Sequence, residues 1–374
     1  MDLLRKAATF GGRAPDTPVR VATYNILSPN LCGPDVFKNC DPAALEPGVR
    51  LLGVLNQLEA EVKQDAVFGL QEIALQWVGP LQVWFSERGY NLIHTNYSSP
   101  KTGYMGVAVA FPTQKYDLLD AELKRLSDTK RWPREPDRGG LGKAVGGLLA
   151  PAGNVALLPF RLVRRVLLGP AKRPPEDPWS FSQRRFNMMV SVRLRCRQSG
   201  CSFWFSTYHM PCAYFLPPAM VIHSALASQH AAALARANDE PFVLCGDFNI
   251  KPGEGSYRLL TEGSLEEDHP EAPEPRGWDS WRPTVPVALK SAYKEVNGEE
   301  PDFTNFAQHR NDDPFVDCLD YIFYSPACRA TAVRALPPRG DVQGPLPTPK
   351  EPSDHILLAA TIRVPVSQPA PLPA

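Results

Sequence analysis

Short apolar runs that stop at a single chemically capable polar side chain recur along this chain, and they restrict its fold more than any other feature. Asn25 lies in the run from Val19 to Leu27, and Glu72 follows Phe68-Gly69-Leu70-Gln71. His209 follows Trp204 to Tyr208, and Asp247 follows Val243-Leu244-Cys245-Gly246. Runs of this length, rich in β-branched and aromatic residues, read as buried strands. Val49 to Lys63, Trp77 to Arg88 and Pro218 to Arg236 instead carry apolar residues at helical spacing. The order strand, helix, strand occurs twice. That is the pattern of a layered α/β protein, whose strand ends converge on one edge and can aim several side chains at one point.

Further strands are predicted at Asn91 to His94, Met105 to Phe111, Leu319 to Tyr324 and Ile356 to Val364, with a hairpin from Asn187 to Cys196 and Ser202 to Tyr208. From about Glu122 to Arg185 the periodicity dissolves into proline, glycine and arginine, which predicts an insertion. Lysine plus arginine equal aspartate plus glutamate at 40 each over the 374 residues, so a polyanion can be met only by a local patch. The insertion supplies one: 16 basic against 6 acidic residues lie between Ala121 and Arg195. It reads either as a solvated excursion or as a basic rim. Within it, residues 155–168, with Arg161, Arg164 and Arg165, suit a partner or an anionic membrane surface. An acidic, proline-bearing loop covers about Glu262 to Pro275.

The expected organisation is an N-terminal extension over 1–18, one catalytic domain over 19–364 with the insertion at 122–185, and a disordered proline-rich tail over 365–374. No run of about 18 apolar residues marks a membrane span, and the opening residues lack the apolar core of a signal peptide. Eight scattered cysteines read as free thiols in a reducing compartment. The expectation is an intracellular, cytoplasmic monomer, with organelle targeting left open by Lys6 and Arg13.

The polar residues at the strand ends form a chemical set. Glu72, Asp247, Asp320 and Asp354 are carboxylates, His209 and His355 imidazoles, and Asn25 and Asn249 amides. Singly, each reads as well as a surface residue or a turn cap. Together, hard oxygen donors with imidazoles and no cysteine suit Mg²⁺, with Mn²⁺ as a substitute, rather than zinc.

Thr23-Tyr24-Asn25-Ile26-Leu27, Leu70-Gln71-Glu72-Ile73, Tyr208-His209, Gly246-Asp247-Phe248-Asn249, Leu319-Asp320-Tyr321-Ile322-Phe323 and Pro352-Ser353-Asp354-His355 stand in this order along the chain. The ordered set resembles the six signature blocks of the endonuclease/exonuclease/phosphatase superfamily. Ser291-Ala292-Tyr293, Asn297-Gly298-Glu299, Pro301, Phe303-Thr304-Asn305 and Tyr257-Arg258-Leu259-Leu260 are most similar to its mRNA deadenylase, nocturnin and Angel branch. The resemblance implies a four-layer α/β sandwich of the DNase-I-like kind, two packed mixed β-sheets flanked by helices. It implies Glu72, Asn25 and Asp354 as metal ligands, Asp247 as the base oriented by Asn249, His209 and His355 as donors to phosphoryl oxygens, and Asp320 as the partner of His355. Arg185 and Asn187 would contact substrate, and Phe315 would stack on a base.

The implied activity is a 3′-5′ exoribonuclease acting on single-stranded RNA. The alternatives are another phosphoester hydrolase, either sphingomyelinase-like or a phosphatase on a small nucleotide or inositol phosphate, and a silent scaffold that retains the fold. Two departures stand out. The leucine-rich repeats of the large deadenylases are absent, and Tyr104-Met105-Gly106-Val107-Ala108 replaces an acidic residue before a Gly-Cys-Ala strand, leaving adenosine preference open.

Overall fold

The computed structural model describes residues 16–136 and 176–366. Two six-stranded sheets lie face to face among these residues. The first runs β13 (Arg329–Val333), β14 (Leu358–Pro365), β1 (Asp16–Asn25), β2 (Val67–Ile73), β4 (Gly106–Pro112), β3 (Tyr90–Asn96). The second runs β5 (Tyr116–Arg125), β6 (Met188–Cys196), β7 (Ser202–His209), β8 (Phe242–Asp247), β12 (Asp320–Tyr324), β9 (Lys290–Ser291). A small ribbon pairs β10 (Asn305–Ala307) with β11 (Phe315–Asp317). Both large sheets are mixed, since β1 is parallel to β2 and β7 to β8 while the other pairings are antiparallel.

Alternation along the strands makes the layers. Val19 and Val21 of β1 and Val243 and Cys245 of β8 join one core between the sheets. Ala22 and Tyr24 point the other way, onto α1 (Pro47–Val62) and α2 (Leu75–Glu87), where Val54, Leu58, Leu81 and Phe85 form an outer core. Leu244 and Phe323 likewise face α4 (Pro217–Arg236) and α5 (Gly255–Glu262) across the second outer core. The result is the expected four-layer sandwich.

Several elements differ from the sequence expectation. β1 begins at Asp16 rather than Val19, and β14 continues to Pro365, the predicted start of the tail. The insertion was expected from Glu122, but β5 extends to Arg125 as an edge strand, largely exposed and so without an apolar signal. Its far end folds too, as the short helix α3 (Pro178–Gln183), started by Asp177 capping Ser180. Helix α6 (Ala292–Asn297) follows β9. Residues 155–168 and most of the tail lie outside the described residues. All eight cysteines are free, and no described helix is long and apolar enough to cross a membrane.

Candidate active site

β1, β2, β7 and β8 deliver their carboxyl ends to one rim of the sandwich, and antiparallel pairing brings the start of β12 and the segment before β14 to the same rim. In the second sheet His209 pairs with Asp247, and Asp247 with Asp320. In the first, Asn25 at the end of β1 pairs with Gln71, one residue before Glu72, and its carbonyl accepts from Ser353 Oγ at 2.7 Å. Sequence separations of up to 330 residues therefore collapse into hydrogen-bond distances.

Asn25 sits at the centre. Its Nδ2 is 3.1 Å from Glu72 Oε1, 3.0 Å from Asp247 Oδ2 and 3.4 Å from His355 Nε2. Its Oδ1 is taken by the amide of Leu27 at 3.0 Å. The amide nitrogen, not the oxygen, thus faces the carboxylates, and in this arrangement Asn25 holds the acids together as a donor. Asn249 holds Asp247 Oδ1 through its backbone N–H at 2.9 Å, while its Nδ2 donates to the carbonyl of Met210.

Glu72 is aimed by distortion. It has φ 59° next to the last residue of β2, where the pairing with β4 slips between Gln71 and Ile73. A bulge of this kind re-aims one side chain at a local cost of about 1–3 kcal/mol. The backbone amide of Ser28 holds Oε2 at 3.0 Å. Leu27 and Asn249 share the left-handed conformation, with φ 51° each. Strained residues thus concentrate where the polar groups meet.

His355 Nδ1 lies 2.8 Å from Asp320 Oδ2, and its Nε2 lies 3.6 Å from Asp247 Oδ2. Burial opposes charge on this ring, but the carboxylates of Asp320, Asp247 and Asp354 outweigh it and hold the imidazole pKa well above its ordinary value. Burial pushes the Asp320 carboxyl up to about 6 against the opposing pull of His355. Near neutral pH the pair is therefore carboxylate and imidazolium. Thr304 Oγ1 donates to the same Asp320 oxygen at 2.7 Å. His209 is held by Tyr97, whose hydroxyl lies 2.9 Å from Nδ1, and by the amide of Asn187, which donates to the His209 carbonyl at 2.8 Å. Burial and the nearby Glu72 keep Tyr97 protonated, and the His209 Nε2 faces Asp247 Oδ2 at 3.6 Å.

Asp354, Arg185, Asn187 and Phe315 join this group on the wall of one cavity of about 1180 Å³, with Glu72, His209, Asp247, Asn249 and His355. Asp320 lies beneath, 1 % exposed. Arg185 packs its guanidinium 3.9 Å from the Phe181 ring centroid, and Phe315 stays 43 % exposed. Sequence reasoning missed Tyr97 and Arg50. The latter is fully buried and donates to the carbonyls of Ile26, Leu27 and Pro352 at 2.7 Å each, tying the turn after β1 to the turn that carries Asp354 and His355. An arginine in an amphipathic helix pattern looks like a solvated face, so nothing in the sequence marked it.

Four carboxylates around one point need positive charge, and one imidazolium does not balance them. Ligand atoms of Asp247, Asp320 and His355 lie within 4.8 Å of one another. Asp320 and His355 already bond each other there, whereas Glu72 and Asp354 face the cavity. The hard oxygen donors of this group suit a divalent cation.

Gly246 positions Asp247. Its φ is 147°, and an added Cβ would lie 1.8 Å from the carbonyl oxygen of Tyr208 on the neighbouring strand. Gly246→Ala is expected to destabilise the fold by about 2–3 kcal/mol and to displace Asp247, read as a fall in Tm with loss of hydrolysis. An unchanged Tm would show that β7 and β8 can part without cost.

A model of the Endonuclease/Exonuclease/phosphatase family matches residues 22–355. The CCR4-Not complex 3′-5′-exoribonuclease subunit Ccr4 of Aspergillus fumigatus is 38% identical over 139 residues, covering 35% of this chain and 18% of that relative. The chain thus spans less than a fifth of the length of the curated relative it matches. Among solved structures, ANGEL2, a 2′,3′-cyclic phosphatase in complex with adenosine-2′,3′-vanadate, superposes with TM-score 0.68 at 18% identity, covering 95% of this chain and 98% of that one. The human Nocturnin catalytic domain gives TM-score 0.58 at 19% identity, covering 93% and 94%.

Proposed function

The chain belongs to the endonuclease/exonuclease/phosphatase family, and from that premise we propose that it is a Mg²⁺-dependent phosphodiesterase that shortens single-stranded RNA from its 3′ end. The observation that carries the reading is the meeting of Glu72, Asp247, His209 and the Asp320–His355 pair on one cavity of about 1180 Å³. A space of that size takes more than one nucleotide, since pockets for drug-sized ligands run to about 300–1,000 Å³. The name of the Ccr4 relative supports RNA as the polymer.

Glu72, with Asp354 beside it, would hold Mg²⁺, which when bound neutralises charge on the phosphate and the leaving oxygen. Asp247 accepts a proton from the attacking water. It is fixed for this by Asn25 Nδ2 at one oxygen and the Asn249 amide at the other. The water oxygen bonds to phosphorus as the bond to the 3′ oxygen breaks, releasing a nucleoside 5′-monophosphate. His355 and His209 turn Nε2 toward Asp247 from two sides, each at 3.6 Å, so both rings donate to phosphoryl oxygens as charge builds. Arg185 and Asn187 contact the substrate backbone, and Phe315 stacks on a base.

The test is hydrolysis of a 5′-labelled RNA ladder, oligo(A) beside a mixed sequence, with Mg²⁺ or EDTA. Stepwise, metal-dependent shortening from the 3′ end is expected. Intact RNA, together with turnover of an oligonucleotide ending in a 2′,3′-cyclic phosphate, would replace this reading with the activity named for ANGEL2.

A further inference from the structure

The catalytic cavity does not end at the reacting groups. Arg184 and Phe186 line it, and the same two residues line a second cavity of about 420 Å³ together with Arg125, Asp128, Trp132 and Gln183, with Asp128 paired to Arg125 at 3.6 Å. The two cavities therefore meet at Arg184 and the Phe186 ring, and the outer recess is large enough for a small ligand, by the usual range of about 300–1,000 Å³.

Strand order gives the groove a polarity. β7 and β8 end in His209 and Asp247, with β6 on one side and β12 on the other. Arg184 and Phe186 precede β6, whereas Asp312 and Asp313, which also line the cavity, lie in the turn between β10 and β11. A polyanion leaving the centre meets like charge at that turn and arginine on the β6 side.

The β6 side is shaped for a flat ring. Phe186 is 63 % exposed. The Arg125 guanidinium lies 4.6 Å from its ring centroid and is itself anchored by the carbonyls of Gln183 and Arg185 at 2.9 and 2.8 Å. One side of the ring is thus backed by a fixed cation while much of the residue faces solvent. Arg184 pairs with Glu176 at 2.7 Å, but both side chains are well exposed, and such a pair gives up its arginine to a phosphate at little cost.

We propose that this groove is an upstream subsite for single-stranded RNA, holding the third nucleotide from the 3′ end, with Phe186 stacking on its base and Arg184 meeting its phosphate. The subsite rests on the RNA-hydrolysis reading above. Two nucleotides flank the scissile phosphate at the reacting groups, so a dinucleotide leaves the outer recess beside Phe186 unfilled and a hexanucleotide fills it.

The experiment compares kcat/KM on a dinucleotide and a hexanucleotide for the wild type, Phe186→Ala, Arg184→Gln and Phe186→Trp. Phe186→Ala is expected to lose on the order of 10-fold on the hexanucleotide, mainly through KM, and much less on the dinucleotide. Arg184→Gln is expected to lose less and to flatten the salt dependence, and Phe186→Trp to restore wild-type behaviour. Wild-type cleavage of both substrates with undiminished Phe186→Ala, or an equal loss on both, would overturn the subsite alone. A wild type inert on both would overturn the RNA reading and the subsite with it.

Discussion

Glu72→Ala is expected to cut Mg²⁺-dependent cleavage of single-stranded RNA by about three orders of magnitude, close to 4 kcal/mol of transition-state stabilisation. The geometry also predicts what should not change. Glu72 shares its cavity wall with Asp247 and Asp354, so the metal-free protein loses a like charge when it is removed, while the backbone strain at φ 59° stays with alanine. Its Tm in EDTA should stay level or rise, and the stabilisation that added Mg²⁺ gives the wild type should shrink. Full activity at saturating Mg²⁺ would remove Glu72 from the cation site. A large fall in Tm in EDTA would instead make it a structural residue, held for its bonds to Asn25 and the Ser28 amide.

The layers and the rim were legible because each leaves a local trace. β1, β2, β7 and β8 are apolar runs buried on both faces, and their terminal polar residues are the ones that meet. β5 was missed because an edge strand that faces solvent carries Asp117, Asp120, Glu122 and Lys124 where a pattern search expects apolar residues. α3 was hidden among prolines, and only the Asp177 cap in front of it could have announced it. The orientation of the site groups was less legible than their identity. No pattern shows that Asn25 turns its nitrogen inward, because the deciding contact is the Leu27 amide on its oxygen. Nor does any pattern show the bulge at Glu72, which depends on register with β4. Arg50 and Tyr97 act through long-range contacts, the first with Pro352 and the second with His209. Such roles exist only once the chain has folded.

Asp320→Asn separates orientation from charge at His355. The carboxylate accepts from Nδ1 at 2.8 Å and from Thr304 Oγ1 at 2.7 Å through the same oxygen, while its other oxygen has no partner among the described residues. An asparagine fills the same space, so the fold should hold, but it supplies no negative charge to keep the ring protonated. Its amide can present either a donor or an acceptor to Nδ1, so the ring loses its fixed hydrogen as well. A fall in kcat of about 10²- to 10⁴-fold is expected, by analogy with other acids that orient a catalytic imidazole, with the Mg²⁺ needed for half-activation unchanged. The pH profile gives the sign. Carboxylates raise the pKa of His355, so its charged form persists well above the ordinary imidazole range and is lost only as pH climbs through that raised value. Removing one of three carboxylates moves the pKa down, and the alkaline limb of the kcat profile should move to lower pH in the variant. An alkaline limb that stays in place while kcat falls would mean that Asp320 matters for packing under His355 and not for its proton, and unchanged kcat would take Asp320 out of the site.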